Sequence, residues 1–399
     1  MINNINEKKC NNACTSCQAC AAICPVSAIS VELDDNGFYR PQITDSKCLN
    51  CGKCKTVCYK FDADVKKSDK YINIYSCKAQ DDKLLKNVTS GGIAYLLANK
   101  AICEGYKVIG VTYDFKKNIA VSKISDCNIE EFRGSKYIQA YTAEAFSEAL
   151  KNKTDKYMVF GTPCQIYALN KAVNQMGVSE NFVFVDLFCH GCPTMLLWNK
   201  CIEKIRNNIN EDSFDKVEFR SKHRGWHEFS MYFEKNGKKF VTNNEFDAFY
   251  SLFFSDMLLN DACSECKLRS SLHYTDIRLG DFWGYRYDTD KQGVSAVAAV
   301  TPKGEHWLKK LPCDVFLAEH TLQEVIKNQS YDKVYSVNKE NRSILFDKLK
   351  SNMNVDDINK VYISMLSKKT RLKLFCKKIT YLLPQDVRYS FRKYFHGRS

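Results

Sequence analysis

Three apolar runs, Tyr106–Tyr113, Tyr157–Gly161 and Phe182–Phe188, are rich in β-branched and aromatic residues and predict buried strands. Helical periodicity follows the last two, over Gln165–Val173 and Thr194–Ile209. Strand, short polar turn and helix is the grammar of a ligand-binding α/β sheet. Lys216–Arg220, Glu228–Glu234 and Lys238–Thr242, with Asn236-Gly237 before the last, predict an antiparallel section with a hairpin. Phe246–Leu259 reads as a helix, and the chain from about Thr321 onward reads as mostly helical and highly charged. Near the start, short alternations in Ile29–Leu33 and Phe38–Ile43 flank Asn36-Gly37, which predicts a small hairpin. A polar linker rich in Lys and Asp, Phe61–Lys70, follows.

The cysteines give this pattern its chemistry. Cys14-x2-Cys17-x2-Cys20-x3-Cys24 is followed by Pro25, and Cys48-x2-Cys51-x2-Cys54-x3-Cys58 repeats the spacing. This is the spacing that holds two 4Fe–4S clusters in a bacterial ferredoxin. A cubane needs four thiolates at tetrahedral corners, and three cysteines in one tight loop cannot reach the fourth. The last cysteine of each run therefore crosses over. Cys14, Cys17, Cys20 and Cys58 are expected on one cluster, and Cys48, Cys51, Cys54 and Cys24 on the other. Tyr59 stands where the second run would have its proline. Zinc has no need of a third and fourth cysteine at these offsets, and disulfides need an oxidising compartment. Cys10 fits neither run and is a spare thiol.

Composition narrows the setting. Twenty cysteines with no apolar signal core in Met1–Lys9 predict a reducing cytoplasm and metal ligation. No apolar run is long enough to span a bilayer. From Lys368 to Ser399 stand ten Lys or Arg and one acid, Asp386, so this tail holds +9 of the formal +13. The body is close to neutral, which argues against a nucleic-acid partner. Within the tail the cations alternate with Leu372, Leu374, Phe375, Ile379, Tyr381, Leu382, Phe391, Tyr394 and Phe395. Such a segment suits the anionic inner face of a membrane. The alternative is a helical tail packed on the body or on an acidic partner.

Further motifs mark the larger domain. Ser90-Gly91-Gly92 precedes the apolar helix Ile93–Ala98, an arrangement that admits a phosphate and equally suits a plain turn or cap. Gly161-Thr162-Pro163-Cys164-Gln165 and Leu187-Phe188-Cys189-His190-Gly191-Cys192 sit at strand ends. Cys263-x2-Cys266, Arg269 and Asp276–Gly284 (DIRLGDFWG) come later. Cys164, Cys189, Cys263 and Cys266 form a four-thiolate set for a third 4Fe–4S cluster. A dithiol or zinc site competes, and Cys192 competes with Cys189. His190 could tune such a cluster or relay a proton, or be a satisfied structural histidine. Arg220-Ser-Lys222-His223-Arg224-Gly225-Trp226 offers cations for a phosphate and an indole for a flat ring, or a solvated strand end.

These words, in this order after a ferredoxin module, resemble the beta subunits of coenzyme F420-reducing hydrogenases and dehydrogenases over roughly residues 73–310. The resemblance implies an iron–sulfur flavoprotein in which FAD passes electrons between clusters and a deazaflavin or another redox partner. It places Ser90, Gly91, Gly92 and Thr162 on the flavin side, and Cys164, Cys189, Cys263 and Cys266 on iron. No segment marks a pocket for coenzyme F420 itself. Related fused proteins resemble reductases of bacterial surface-polysaccharide pathways. The expected fold is α+β: a bacterial-ferredoxin-like domain (1–62), then a larger α/β domain with a mixed sheet. Its flavin- or phosphate-binding part is 73–152, and its continuation with the second thiol set is 153–315. A helical basic tail (316–399) ends the chain. The expected function is a cytoplasmic oxidoreductase exchanging electrons with a redox carrier or partner oxidoreductase. The rival is an electron-transfer protein with no substrate of its own, serving a separate catalytic partner.

Overall fold

The computed structural model describes all residues except 1, 9–11, 229, 243–246, 381–382, 385–386 and 389–399. Cys10 and much of the far tail thus lie outside the described residues. Strands β1 (Ile29–Leu33) and β2 (Tyr39–Ile43) pair antiparallel, with Leu33 opposite Tyr39. Gly37 turns between them at φ +73°, and a Cβ there would stand 2.6 Å from Thr194 Oγ1. Its carbonyl accepts the Met195 N–H at 3.0 Å, so the hairpin tip caps a helix of the larger domain.

The larger sheet is built from β3 (Asn73–Lys78), β4 (Lys107–Asp114), β5 (Ile119–Ser125), β6 (Ala140–Tyr141), β7 (Tyr157–Phe160) and β8 (Phe182–Leu187). A separate antiparallel sheet holds β9 (Lys216–Ser221), β10 (Ser230–Lys235) and β11 (Lys238–Val241). The chain then returns to the larger sheet with β12 (Ile277–Asp281), β13 (Ser295–Ala299) and β14 (Phe316–His320). The nine strands lie in the order β14-β3-β13-β12-β8-β7-β4-β5-β6. β12, β8, β7 and β4 run parallel, while β13 is antiparallel to both β12 and β3. The sheet is therefore mixed, and its parallel centre is the part fed by strand–helix units.

The expected helices run Pro163–Gln175 and Met195–Ile209, and the one after Ser90-Gly91-Gly92 extends to Cys103. Phe246–Leu259 is not one helix. Phe246 lies outside the described residues, and among the described ones only Ala248–Phe253 is helical. Asp256 adopts φ +65°, which an α-helix cannot absorb, and Leu259 leaves to bridge Pro193. The apolar residues that mimic helical spacing here, Leu258 and Leu259, are buried from a turn instead. Beyond Thr321 the helices Leu322–Ile326, Lys339–Lys350, Val355–Met365 and Lys368–Thr380 form the C-terminal layer. Two of them pack Leu345, Phe346, Leu349, Val355 and Ile358 against Trp198, Phe249 and Phe253.

The N-terminal module shares its core with the larger domain. Ala19, Val57 and Tyr59 are buried among Ile166, Tyr167 and Leu268. Thr142 Oγ1 donates to the Cys17 carbonyl at 2.9 Å, and Gln18 Nε2 donates to the Ala140 carbonyl at 3.0 Å. Asn260 Nδ2 reaches Ser16 Oγ at 2.9 Å. Buried polar contacts of this kind hold one orientation, because breaking them strands groups away from water.

Candidate functional site

The two N-terminal cysteine loops each turn into a one-turn helix, Ala19–Ala22 and Lys53–Thr56. Cys20 is buried and feels the charges of Cys17, Cys58 and Cys14. Cys54 lies near Cys51 and Cys24. The two neighbourhoods thus pair each run with the last cysteine of the other. They also adjoin, since Cys20 and Cys54 share one buried cluster. Ile5 and Ile29 close an apolar pocket around Cys20 and Cys54. Burial pushes the Cys58 thiol up to about 12 and raises Cys17 and Cys54 as well. Iron must therefore displace protons to bind here, as thiolate ligation requires. Cys51 is the exposed member, beside Leu49, which is 64% exposed.

The second thiol set gathers at the carboxyl edge of the large sheet. Gly161 and Thr162 leave β7, and Cys164 occupies the first turn of the helix Pro163–Gln175. Gln165 Oε1 accepts the Thr162 N–H at 2.9 Å, which fixes the helix start. Cys189 and Cys192 follow β8 across a backbone in which Gly191 stands at φ +157°. Cys263 ends one 3₁₀ turn and Cys266 opens the next. Cys164 neighbours Cys266 and Cys189, and Cys263 neighbours both of these too. Cys192 stands beside Cys263 and Cys189, so the structure brings together five thiols. Burial is the largest cause that pushes Cys189 up to about 11 and Cys263 up to about 12. Among the described residues no three such side chains converge tightly enough for a single ion. A cubane spreads its thiolates over four irons and does not require that convergence.

Two buried arginines flank this set. Arg278 donates to both oxygens of Asp186, at 2.8 and 2.6 Å, and both side chains are almost fully buried. Arg269 is 3% exposed. Its acceptors are the carbonyls of Lys333, His190 and Cys263, and its guanidinium lies 4.1 Å from the Tyr335 ring centroid. Among the described residues no carboxylate pairs with it. A buried cation without a carboxylate is costly unless carbonyls or another anion offset it, and here three carbonyls accept from it. Both arginines act on Cys189 in the direction that favours its thiolate.

Tyr59, the residue in place of the expected proline, joins the two thiol regions. Its hydroxyl accepts the Lys267 N–H at 3.2 Å, and burial pushes it up to about 12, with Cys266, Cys164 and Cys263 adding to the rise. Cys164 in turn feels Cys17 of the first module. Sequence spacing gives no sign of this role, nor of the Asp186–Arg278 pair, because both depend on strand order.

Ser90-Gly91-Gly92 lies at the same sheet edge. Gly91 donates to Ser295 Oγ at 3.0 Å, and its carbonyl accepts the Ala79 N–H at 2.8 Å. Ser90 Oγ donates to the Val294 carbonyl at 3.0 Å. Ser90 and Gly91 thus use their polar groups within the fold, and Gly92, at φ +86°, opens the helix. A Cβ on Gly91 would stand 2.3 Å from the Cys77 carbonyl oxygen and 2.8 Å from Ser295 N. Gly91→Ala is expected to cost about 1–3 kcal/mol by overpacking. Denaturant titration checks this, and a loss under about 0.5 kcal/mol, the size of a neutral surface change, would contradict it. Thr162 stands with the thiols, its hydroxyl 3.2 Å from Cys164 Sγ.

The Arg220–Trp226 word is structural at its two most promising residues. Arg220 pairs with Asp281 at 2.6 Å. Trp226 is buried, donates to Asp281 Oδ1 at 2.9 Å, and stacks on Trp283 at 5.0 Å between centroids. Lys222 Nζ donates to the Leu85 and Ser90 carbonyls, bolting the Ser90 turn in place. His190 reaches Ser330 Oγ at 3.0 Å through Nδ1 and lies 2.9 Å from Asp256 through Nε2.

Residues 154–324 match the model of the C terminus of the coenzyme F420 hydrogenase/dehydrogenase beta chain. Residues 13–61 match a 4Fe-4S dicluster domain. The F component of the F(420)H(2) dehydrogenase of Methanosarcina mazei is 26% identical over 224 residues, covering 52% of this chain and 62% of that protein. The chain thus spans about three fifths of that relative. The F420-reducing [NiFe] hydrogenase complex from Methanosarcina barkeri contains a chain aligned at a TM-score of 0.46 and 20% identity. That alignment covers 75% of this chain and 94% of the other. The chain therefore matches a 4Fe-4S dicluster domain over residues 13–61 and, over residues 154–324, is similar to the C terminus of coenzyme F420 hydrogenase/dehydrogenase beta subunits.

Proposed function

We propose that this chain is an oxidoreductase that passes electrons between a flavin or deazaflavin and the two clusters of its N-terminal module, through a third 4Fe–4S cluster. Cys14, Cys17, Cys20 and Cys58 would hold the first cluster, and Cys24, Cys48, Cys51 and Cys54 the second. Cys164, Cys189, Cys263 and Cys266 would hold the third, with Cys192 as the neighbouring thiol. The observation that carries the reading is the shared core of this third set and the first module, in which Cys164 and Cys266 pack against the buried cluster that holds Cys17, Val57 and Tyr59. Electrons entering at the sheet edge would meet three thiolate groups in succession and leave near exposed Cys51. A redox carrier or partner oxidoreductase would dock there.

FAD, when bound, would supply the conversion of two-electron into one-electron steps that clusters lack. The Ser90-Gly91-Gly92 turn follows β3, whose end lies three strand spacings from β8 at the same edge. That is about 14 Å. Open α/β sheets bind ligands at this edge. Gly92 and the first turn of the helix Ile93–Cys103 would face the phosphates, because Ser90 and Gly91 are engaged elsewhere. Arg269 and Arg278 would offset the negative charge of the third cluster, and Tyr59 would keep water from the gap between modules.

The test is the iron, acid-labile sulfide and flavin content of anaerobically purified chain. About twelve irons and one flavin per chain are expected. About eight irons without flavin would leave a two-cluster relay and sink the reading.

A further inference from the structure

We propose that the C-terminal helix Lys368–Thr380 seats this protein on an anionic membrane surface. No residue of that helix is buried. A surface helix ordinarily turns its apolar stripe towards the core. Here Leu372, Phe375 and Ile379 are 62%, 61% and 50% exposed, while Leu374 is the half-buried position. At 3.6 residues per turn the three exposed residues fall within about 60° of one another, and Leu374 lies on the far side. Beyond the helix, Leu383 and Val387 are each 39% exposed.

Charge identifies what covers the stripe. Lys368, Lys369, Arg371, Lys373, Lys377 and Lys378 belong to the helix, and no acid does. Arg371 and Lys373 lie about 100° to either side of Leu372. Cations flanking a narrow Leu, Phe and Ile stripe match phosphate headgroups above acyl chains. The lysine stems lie along the apolar boundary while the ammonium groups stay with the headgroups. An acidic protein surface would answer the charges and leave the stripe in water. The helix is anchored at both ends. The preceding helix packs Val355 and Ile358 into the core, and Arg388 beyond it pairs with Glu228 at 2.5 Å. At 13 residues it is ~20 Å long, short of the ~30 Å hydrocarbon layer, so it lies in the interface plane.

Flotation of the full, iron-loaded chain with vesicles tests this. It should float with phosphatidylglycerol–phosphatidylcholine vesicles and stay behind with phosphatidylcholine alone. Raising salt should weaken binding by about tenfold or more. The triple variant Leu372→Ser, Phe375→Ser, Ile379→Ser and the triple variant Lys369→Glu, Arg371→Glu, Lys373→Glu should each lose about tenfold or more. Iron content, measured on the same samples, should not change in either. Absence of flotation by the parent chain, equal flotation with neutral vesicles, or variants that float like the parent would each overturn the proposal.

Discussion

Replacing Cys263 and Cys266 together by Ser should remove about four irons per chain and leave about eight. The eight are those of the N-terminal module, whose thiols lie on separate loops and have their own apolar pocket around Ile5 and Ile29. The two serines would delete half of the third set while Cys164 and Cys189 stay where β7 and β8 place them. Even with Cys192 recruited only three thiolates would remain, one short of the four that a cubane takes here, so the iron of this set should be lost. Electron flow is the stronger readout. Dithionite should still reduce the N-terminal clusters, because Cys51 is exposed. Reduction of those clusters from a two-electron donor should fall to background, because the link at Cys164 and Tyr59 would no longer hold a carrier. Serine at the exposed positions Cys103, Cys127 and Cys313 should leave both readouts unchanged. Full iron content in the Cys263/Cys266 variant would remove the third cluster from the mechanism.

What the sequence makes legible here depends on how local the information is. The paired cysteine runs are written at fixed offsets, so their chemistry needs no knowledge of the fold. β4, β7 and β8 are legible because a buried parallel strand must be apolar on both faces. The convergence of Cys164 with Cys189 follows once β7 and β8 are neighbours. Their meeting with Cys263 and Cys266 depends on how the chain returns to the sheet after β11, which periodicity does not record. Trp226 and Arg220 mislead for a related reason. A cation-rich word with an indole looks like a ligand site until Asp281 and Trp283 arrive from 55 or more residues away. Leu258 and Leu259 extend a helical pattern that the backbone at Asp256 ends. The Ser90-Gly91-Gly92 turn reads as a phosphate cradle from composition, yet Gly91 is glycine because Cys77 and Ser295 leave no room for a side chain.

Arg278→Leu should destabilise the folded chain by about 3–5 kcal/mol, the cost of stranding one partner of a buried ion pair. Asp186 and Arg278 face each other in register across β8 and β12, so the pair is built into the sheet rather than laid on its surface. Asp186 is 3% exposed and Arg278 1% exposed. The Asp186 carboxylate holds the guanidinium in its charged form, and that guanidinium also donates to the Arg269 carbonyl at 3.1 Å. Leucine would leave Asp186 without its charge partner and free the loop that carries Arg269 past Cys263 and Cys266. Guanidinium titration measures the first effect, and iron retention at the third thiol set measures the second. The double variant Asp186→Asn, Arg278→Leu should recover part of the stability, because it removes the stranded charge. It should recover little of the iron, because the Arg269 loop stays untied. Arg269 differs in kind: among the described residues it has carbonyl acceptors and no carboxylate, so on the proposed reading the stability it confers should appear only in the loaded protein. An Arg278→Leu loss below about 1 kcal/mol would mean that water reaches Asp186, and the pair would have to be read as a solvated one.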